Sequence, residues 1–267
     1  MDHFHPRDRV PETRHFETLD VALMRERTYD RDQPYRDDLF NDATLVVTGD
    51  GRPIRTIVTG RRVIPTGVFA SRKAGRPLPW ESLYERAFFF HSEVDPDVVD
   101  YRAQLFRFDF LRARRAYIVD CVRQLANGVI EVVEIKKDRQ FIQDRDYAQK
   151  LDAVRAVCER QGWKFRVVFS AALMEPKWRF AAIADIQSWR LTTYSVADTY
   201  TVSEVLLEHG PLPLGLLADR IGGRLHGVAK LKAMMVKRIV RLDLSSPLSS
   251  QTPVALLPFG GQWEVTQ

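Results

Sequence analysis

At 267 residues the chain is long enough to bury a substantial core and to hold two domains. A content of 45% hydrophobic and 28% charged residues excludes a fibrous or wholly disordered protein, and no apolar run is long enough to span a bilayer. The net charge is +5, but the first forty residues hold ten acids against seven arginines, so the remainder carries about +8, which suits an anionic polymer as partner.

Residues 1–42 are dense in charge of both signs, with a short helical stripe at Phe16, Leu19 and Leu23. They read as a partner-binding arm, partly disordered, with a helix packed on the next domain as the alternative. Met1 to Val10 has no apolar signal-peptide core. Cys121 and Cys158 are too few for a disulfide framework and lack metal-ligand spacing, so a reducing, cytoplasmic setting is expected. Ala43–Thr48 and Ile54–Val58 read as two strands joined by Gly49-Asp50-Gly51.

Between Arg52 and Arg76 there are seven basic residues and no acid. With Gly60, Pro65, Gly67, Gly75 and Pro77 interleaved, this reads as an irregular ribbon able to lay Arg61, Arg62, Arg72, Lys73 and Arg76 along a phosphate backbone, or as a solvated basic loop. Trp80–Val94 has helical spacing, and its Glu81 and Glu85 stand at i and i+4, where like charges repel. A cation would relieve them; equally, Ser82-x-x-Glu85 fits a capping box that needs no ligand.

Gln104–Phe108 alternates as a strand, Ala116–Leu125 follows, and Asn127-Gly128 signals a hairpin into Val129–Lys136. The turn decides the chemistry. A strict two-residue loop puts Asp120 and Glu134 on opposite faces of the sheet, whereas a three-residue loop, Ala126-Asn127-Gly128, with Gly128 in the left-handed region sets Asp120 directly across from Glu134, with Lys136 on the same face. Two acids and a lysine among aliphatic neighbours are costly unless compensated. A buried salt bridge to Lys136 satisfies one acid; a hard cation with oxygen ligands, Mg²⁺ or Mn²⁺, satisfies both.

Phe141–Gln161 reads as an amphipathic helix ended by Gly162, Phe165–Phe169 as a strand, and Arg179–Trp189 as a short helix. Strand, strand, helix, strand is the order of a mixed α/β sheet. From Val202 the pattern turns to three short helices, Val202–His209, Leu214–Ile221 and Val228–Val240, then two extended pieces, Arg241–Leu244 and Pro253–Leu257. That is a winged-helix outline, whose third helix, with Lys230, Lys232 and Lys237, can enter a major groove or dock a protein. Met234, Met235 and Cys158 read as core.

The run Gly67–Arg76, then Trp80–Arg86, Asp95-Pro96-Asp97-Val98-Val99, Tyr117-x-x-Asp120 and Glu134-Ile135-Lys136, resembles TnsA, the endonuclease subunit of heteromeric transposases. The resemblance covers roughly residues 55–190 and departs from the commoner pattern at Val119 and Cys121, neither of which is a ligand. It implies a restriction-endonuclease-like, PD-(D/E)xK core in an α/β chain, with a winged-helix domain after it. By the same resemblance Glu85 is the helix acid, Asp120 the central metal ligand, Glu134 the third ligand and Lys136 the lysine that positions or activates water; on that basis Asp120 is expected to be shared by two Mg²⁺ ions, Glu134 and the Ile135 carbonyl completing one shell and Glu85 helping the second. It further implies cleavage of double-stranded DNA at the 5′ ends of a transposon beside a DDE transposase like TnsB, under an AAA+ ATPase regulator like TnsC. The expected domains are the arm 1–42, a nuclease domain 43–195 and a winged helix 196–267. A free-standing restriction or defence nuclease of the same fold, or a non-catalytic DNA-binding adaptor, are the competing readings.

Overall fold

The computed structural model describes residues 35–39, 43–48, 51–55, 65–110 and 115–257. By contact it divides into two compact units: one holds the chain up to Phe88 and Val98–Ala171, the other Phe89–Asp97 and the chain from Ala172 on. The second division falls at 171/172, against the boundary at 195/196 expected from the sequence. The helical stripe of the arm, Arg61 and Arg62 lie outside the described residues.

The first unit is built on two four-stranded sheets. In one, β1 (Tyr35–Leu39), β2 (Ala43–Val47), β6 (Phe106–Phe110) and β7 (Arg115–Ile118) lie side by side, all antiparallel. In the other the order is β10 (Lys164–Phe169), β9 (Ile130–Lys136), β8 (Cys121–Leu125) and β5 (Val98–Ala103), with only β9 and β10 parallel. Two expectations need correction. Ala43–Val47 pairs with β1 and β6, while Ile54 and Arg55, the described part of the second expected strand, form a bend; 56–58 lie outside the described residues. Among the described residues, regular structure therefore begins at Tyr35, within the segment expected to be an arm. Second, Ala116–Leu125 is two strands, because the chain leaves one sheet at Ile118 and joins the other at Cys121.

The basic ribbon is also partly ordered. Gly67–Ala70 (β3) and Pro77–Trp80 (β4) pair as a hairpin. Helix α1 (Leu83–Val94) follows, and α2 (Arg145–Arg160) makes the crossover that parallel β9 and β10 require. Asp144 caps α2, its carboxylate accepting from the Tyr147 amide at 2.8 Å. Leu151, Val154, Val157 and Cys158 of α2 bury against Val122, Ile130 and Val132 on one face of the mixed sheet and against Leu45, Phe106 and Phe108 of the other sheet. On the opposite face Arg123 pairs with Glu131 and lies 5.2 Å from the Phe88 ring of α1. Covered on both sides, β9 is the near-continuous β-branched run that such strands need.

The second unit contains α3 (Ser170–Met174) from Ala172 on, then α4 (Lys177–Ser188), α5 (Val196–His209), α6 (Leu214–Asp219) and α7 (Gly223–Val236). A small antiparallel sheet joins them, with β11 (Leu212–Pro213), β13 (Pro253–Leu256) and β12 (Val240–Leu242) in that order. Helix α5 starts six residues earlier than its apolar spacing suggested, because Ser195 and Asp198 form a reciprocal capping box. Ile183, Ile186, Leu206, Leu217, Leu231, Met234 and Met235 share one core. Gly227 lets α7 cross α6 closely: a Cβ there would sit 2.1 Å from the Ala218 carbonyl oxygen.

Candidate active site

The hairpin takes the bulged form. Cys121 pairs with Val133 and Gln124 with Ile130. Leu125 donates to the Val129 carbonyl at 2.9 Å, and Gly128 has φ +83°, the left-handed position of the three-residue loop. Continued one step beyond Cys121, this register sets Asp120 opposite Glu134. The Asp120 carboxylate reaches across and accepts from the Ile135 amide at 2.7 Å. Val119 and Asp120 are the link between the two sheets, bonded through the backbone to Phe106 and Gln104. The acid therefore sits where the chain changes sheets and is held from both sides.

Glu134 is 1% exposed. One of its oxygens accepts from the Tyr117 hydroxyl, the other from the Tyr147 hydroxyl and the Lys136 ammonium. Lys136 also lies 4.0 Å from Asp120. Burial pushes the Asp120 carboxyl well above the usual carboxylate range, Glu134 and Glu85 push the same way, and Lys136 and the Ile135 amide oppose them. Burial pulls the Lys136 ammonium down, but the Asp120 and Glu134 carboxylates outweigh it and hold the lysine charged. A cavity of about 300 Å³ opens onto this cluster, with Asp120, Glu134, Lys136, Tyr147, Lys150 and Arg55 in its wall.

Glu85 stands apart from these three. Its carboxylate accepts from the Glu81 amide at 2.8 Å and the Ser82 hydroxyl at 3.0 Å, while Ser82 accepts from the Glu85 amide at 3.1 Å. The Ser82 half of the capping box is thus formed, while the Glu85 carboxylate takes the amide of Glu81 and the hydroxyl of Ser82. Glu85 remains near enough to interact electrostatically with both Asp120 and Lys136. Burial raises its own carboxyl, against the hydrogen bonds from Glu81 and Ser82. Among the described residues no three His, Cys, Asp or Glu side chains converge closely enough to enclose a metal ion. The donors available to one, the Asp120 and Glu134 carboxylates and the neighbouring peptide carbonyls, are all hard oxygens, and the repulsion from Glu134 and Glu85, which adds to burial in raising Asp120, is what a divalent cation would relieve. The donor set fits Mg²⁺ in kind and charge.

The expected DNA-contacting cations fare differently. Lys73 is buried, and Arg72 and Arg76 are half-buried. Lys230 donates to Asp198 and to the Ile221 carbonyl, each at 2.8 Å, and buried Lys232 pairs with Asp185 at 2.6 Å. Two of the three lysines expected to face a groove are thus held inside their own unit, because acids on α4 and α5 reach them; Lys237 is exposed. Residue spacing assigned no role to the hydroxyls of Tyr117 and Tyr147. Their polar ends next to a buried acid were the available signal.

The fold defines a mixed α/β domain. More particularly, residues 95–170 match the family model described as "TnsA-like endonuclease N terminal", so this stretch is a TnsA-like endonuclease domain, as the resemblance in its motifs implied. The matched residues include Asp120, Glu134 and Lys136 and stop short of Glu85. No curated protein gave a match.

Proposed function

We propose that the chain is a divalent-metal-dependent DNA endonuclease that cuts the 5′ ends of a transposon, beside a DDE transposase and an AAA+ ATPase regulator. The observation that carries this reading is the pairing of Asp120 with Glu134 across a bulged hairpin, with Lys136 between them, inside a TnsA-like domain. Asp120 and Glu134, with the Ile135 carbonyl, would hold Mg²⁺ or Mn²⁺. Bound there, the ion supplies Lewis-acid polarisation of the phosphate and a more acidic water. Lys136, kept protonated by the two acids, stabilises negative charge developing at the phosphate and orients the attacking water. Tyr117 and Tyr147 keep Glu134 in place. Glu85, already engaged in its cap, acts on Asp120 and Lys136 through its charge.

Two strands on β8 and β9, a crossover helix and parallel β10 support a restriction-endonuclease-like core. Helices α5, α6 and α7 followed by β12 and β13 support a winged helix over 196–267. The internal pairing of Lys230 and Lys232 favours protein docking over groove reading by α7.

Asp120→Asn and Glu134→Gln are the decisive variants. Each is expected to abolish Mg²⁺-dependent strand cleavage while duplex binding persists, and survival of cleavage in Asp120→Asn would place the chemistry elsewhere. Running the assay on transposon-end DNA with and without the partner transposase separates the transposition role from a free-standing nuclease.

A further inference from the structure

We propose that Lys150 binds the DNA phosphate flanking the one that is cut; this rests on the nuclease reading and adds a substrate contact to it. A second cavity, of about 370 Å³, adjoins the site along the start of α2 and is lined by Arg115, Ala116, Asp144, Asp146, Tyr147 and Lys150. It shares Ala116, Tyr147 and Lys150 with the cavity over Asp120 and Glu134. A strand whose phosphodiester enters the first cavity continues past Lys150 into the second.

The other cations here are matched by acids. Lys136 is on Glu134, Arg55 lies 3.5 Å from Glu81, and Arg115 lies 3.6 Å from Asp146. Lys150 instead has its ammonium 4.8 Å from the centre of the Tyr147 ring and 5.7 Å from that of Tyr117, and among the described residues no carboxylate stands within ion-pair distance of it. Aromatic faces position a cation without neutralising it. A phosphate oxygen is the partner this arrangement leaves room for, and Lys binds phosphate as a point charge. The two rings that hold Lys150 carry the two hydroxyls that hold Glu134, so the flanking phosphate and the acid beside the cut are set by the same pair of side chains.

The test uses the full chain carrying Asp120→Asn, to prevent cutting, and a double-stranded oligonucleotide titrated at several salt concentrations. Adding Lys150→Gln should weaken binding about tenfold and reduce the slope of log affinity against log salt by about one, as loss of one phosphate contact requires. Lys150→Arg should restore both, and Tyr147→Phe, which keeps the ring, should leave the slope unchanged. On the Asp120 background, Lys150→Gln should lower kcat/KM for Mg²⁺-dependent cleavage by about 10- to 100-fold. An unchanged slope in Lys150→Gln, whatever its affinity, overturns the proposal and leaves the nuclease reading standing. A wild-type chain that neither binds nor cuts duplex DNA overturns both.

Discussion

Glu134 shows how a charge survives in a strand that is buried along most of its length. Two hydroxyls and an ammonium take three of its acceptor sites, which offsets most of the desolvation cost of the carboxylate locally and leaves one site for a further partner. Glu131, three β9 positions earlier and so on the other face, is answered by Arg123 and, at 3.7 Å, by Arg166. Asp100 is less completely satisfied. It is fully buried against Arg102, and its second oxygen makes no hydrogen bond among the described residues. Burial pushes its carboxyl up to about 7, against the pull of Arg102. The folded state thus holds this proton more tightly than the unfolded chain, where aspartate titrates near 3.9. The stabilisation from Asp100 is complete below about pH 4 and lost as pH rises through about 7. Denaturant unfolding at pH 4 to 8 should record that decline, and Asp100→Asn should flatten it.

At the scale of elements, the β8–β9 hairpin and the start of α1 carry most of the site. Gly128 has no atom within 4 Å of where a Cβ would lie, so Gly128→Ala tests conformation alone. Its φ of +83° should make that substitution cost about 1–2 kcal/mol, measured by urea unfolding, with Gly128→Asn costing less. The α1 cap yields a second comparison. Glu85→Ala takes away the acceptor of the Glu81 amide and the Ser82 hydroxyl and should destabilise by about 1 kcal/mol. Glu81→Gln takes away the charge that faces exposed Arg55 across 3.5 Å and should leave the melting temperature nearly unchanged. Equal losses in the two variants would show that the cap is not what holds Glu85.

For the molecule as a whole, each unit closes its own core, and among the described residues no helix is long and apolar enough to cross a membrane. Both cysteines belong to the first unit and are buried. Burial raises the Cys158 thiol to about 12 and the Cys121 thiol further, leaving almost no thiolate at neutral pH. A thiol reagent should therefore react with neither in the native protein and with both in denaturant, which makes their labelling a readout of opening in this unit. Fast labelling of either cysteine without denaturant would contradict the packing of α2 on the mixed sheet.

Much of this was legible along the chain because it is governed by local rules. Asn127-Gly128 demanded a turn, the alternating and β-branched runs demanded strands, and Ser82-x-x-Glu85 announced its cap. Asp120, Glu134 and Lys136 could be named as a set, since short spacings across a hairpin translate directly into faces of a sheet. Tertiary structure decided what depends on distant partners. The pairing of β2 with β6, the tyrosine hydroxyls on Glu134 and the capture of Lys230 and Lys232 by Asp198 and Asp185 all join residues well apart in sequence. Periodicity reports which face of an element is apolar, but not which remote acid or hydroxyl will meet the polar group on it.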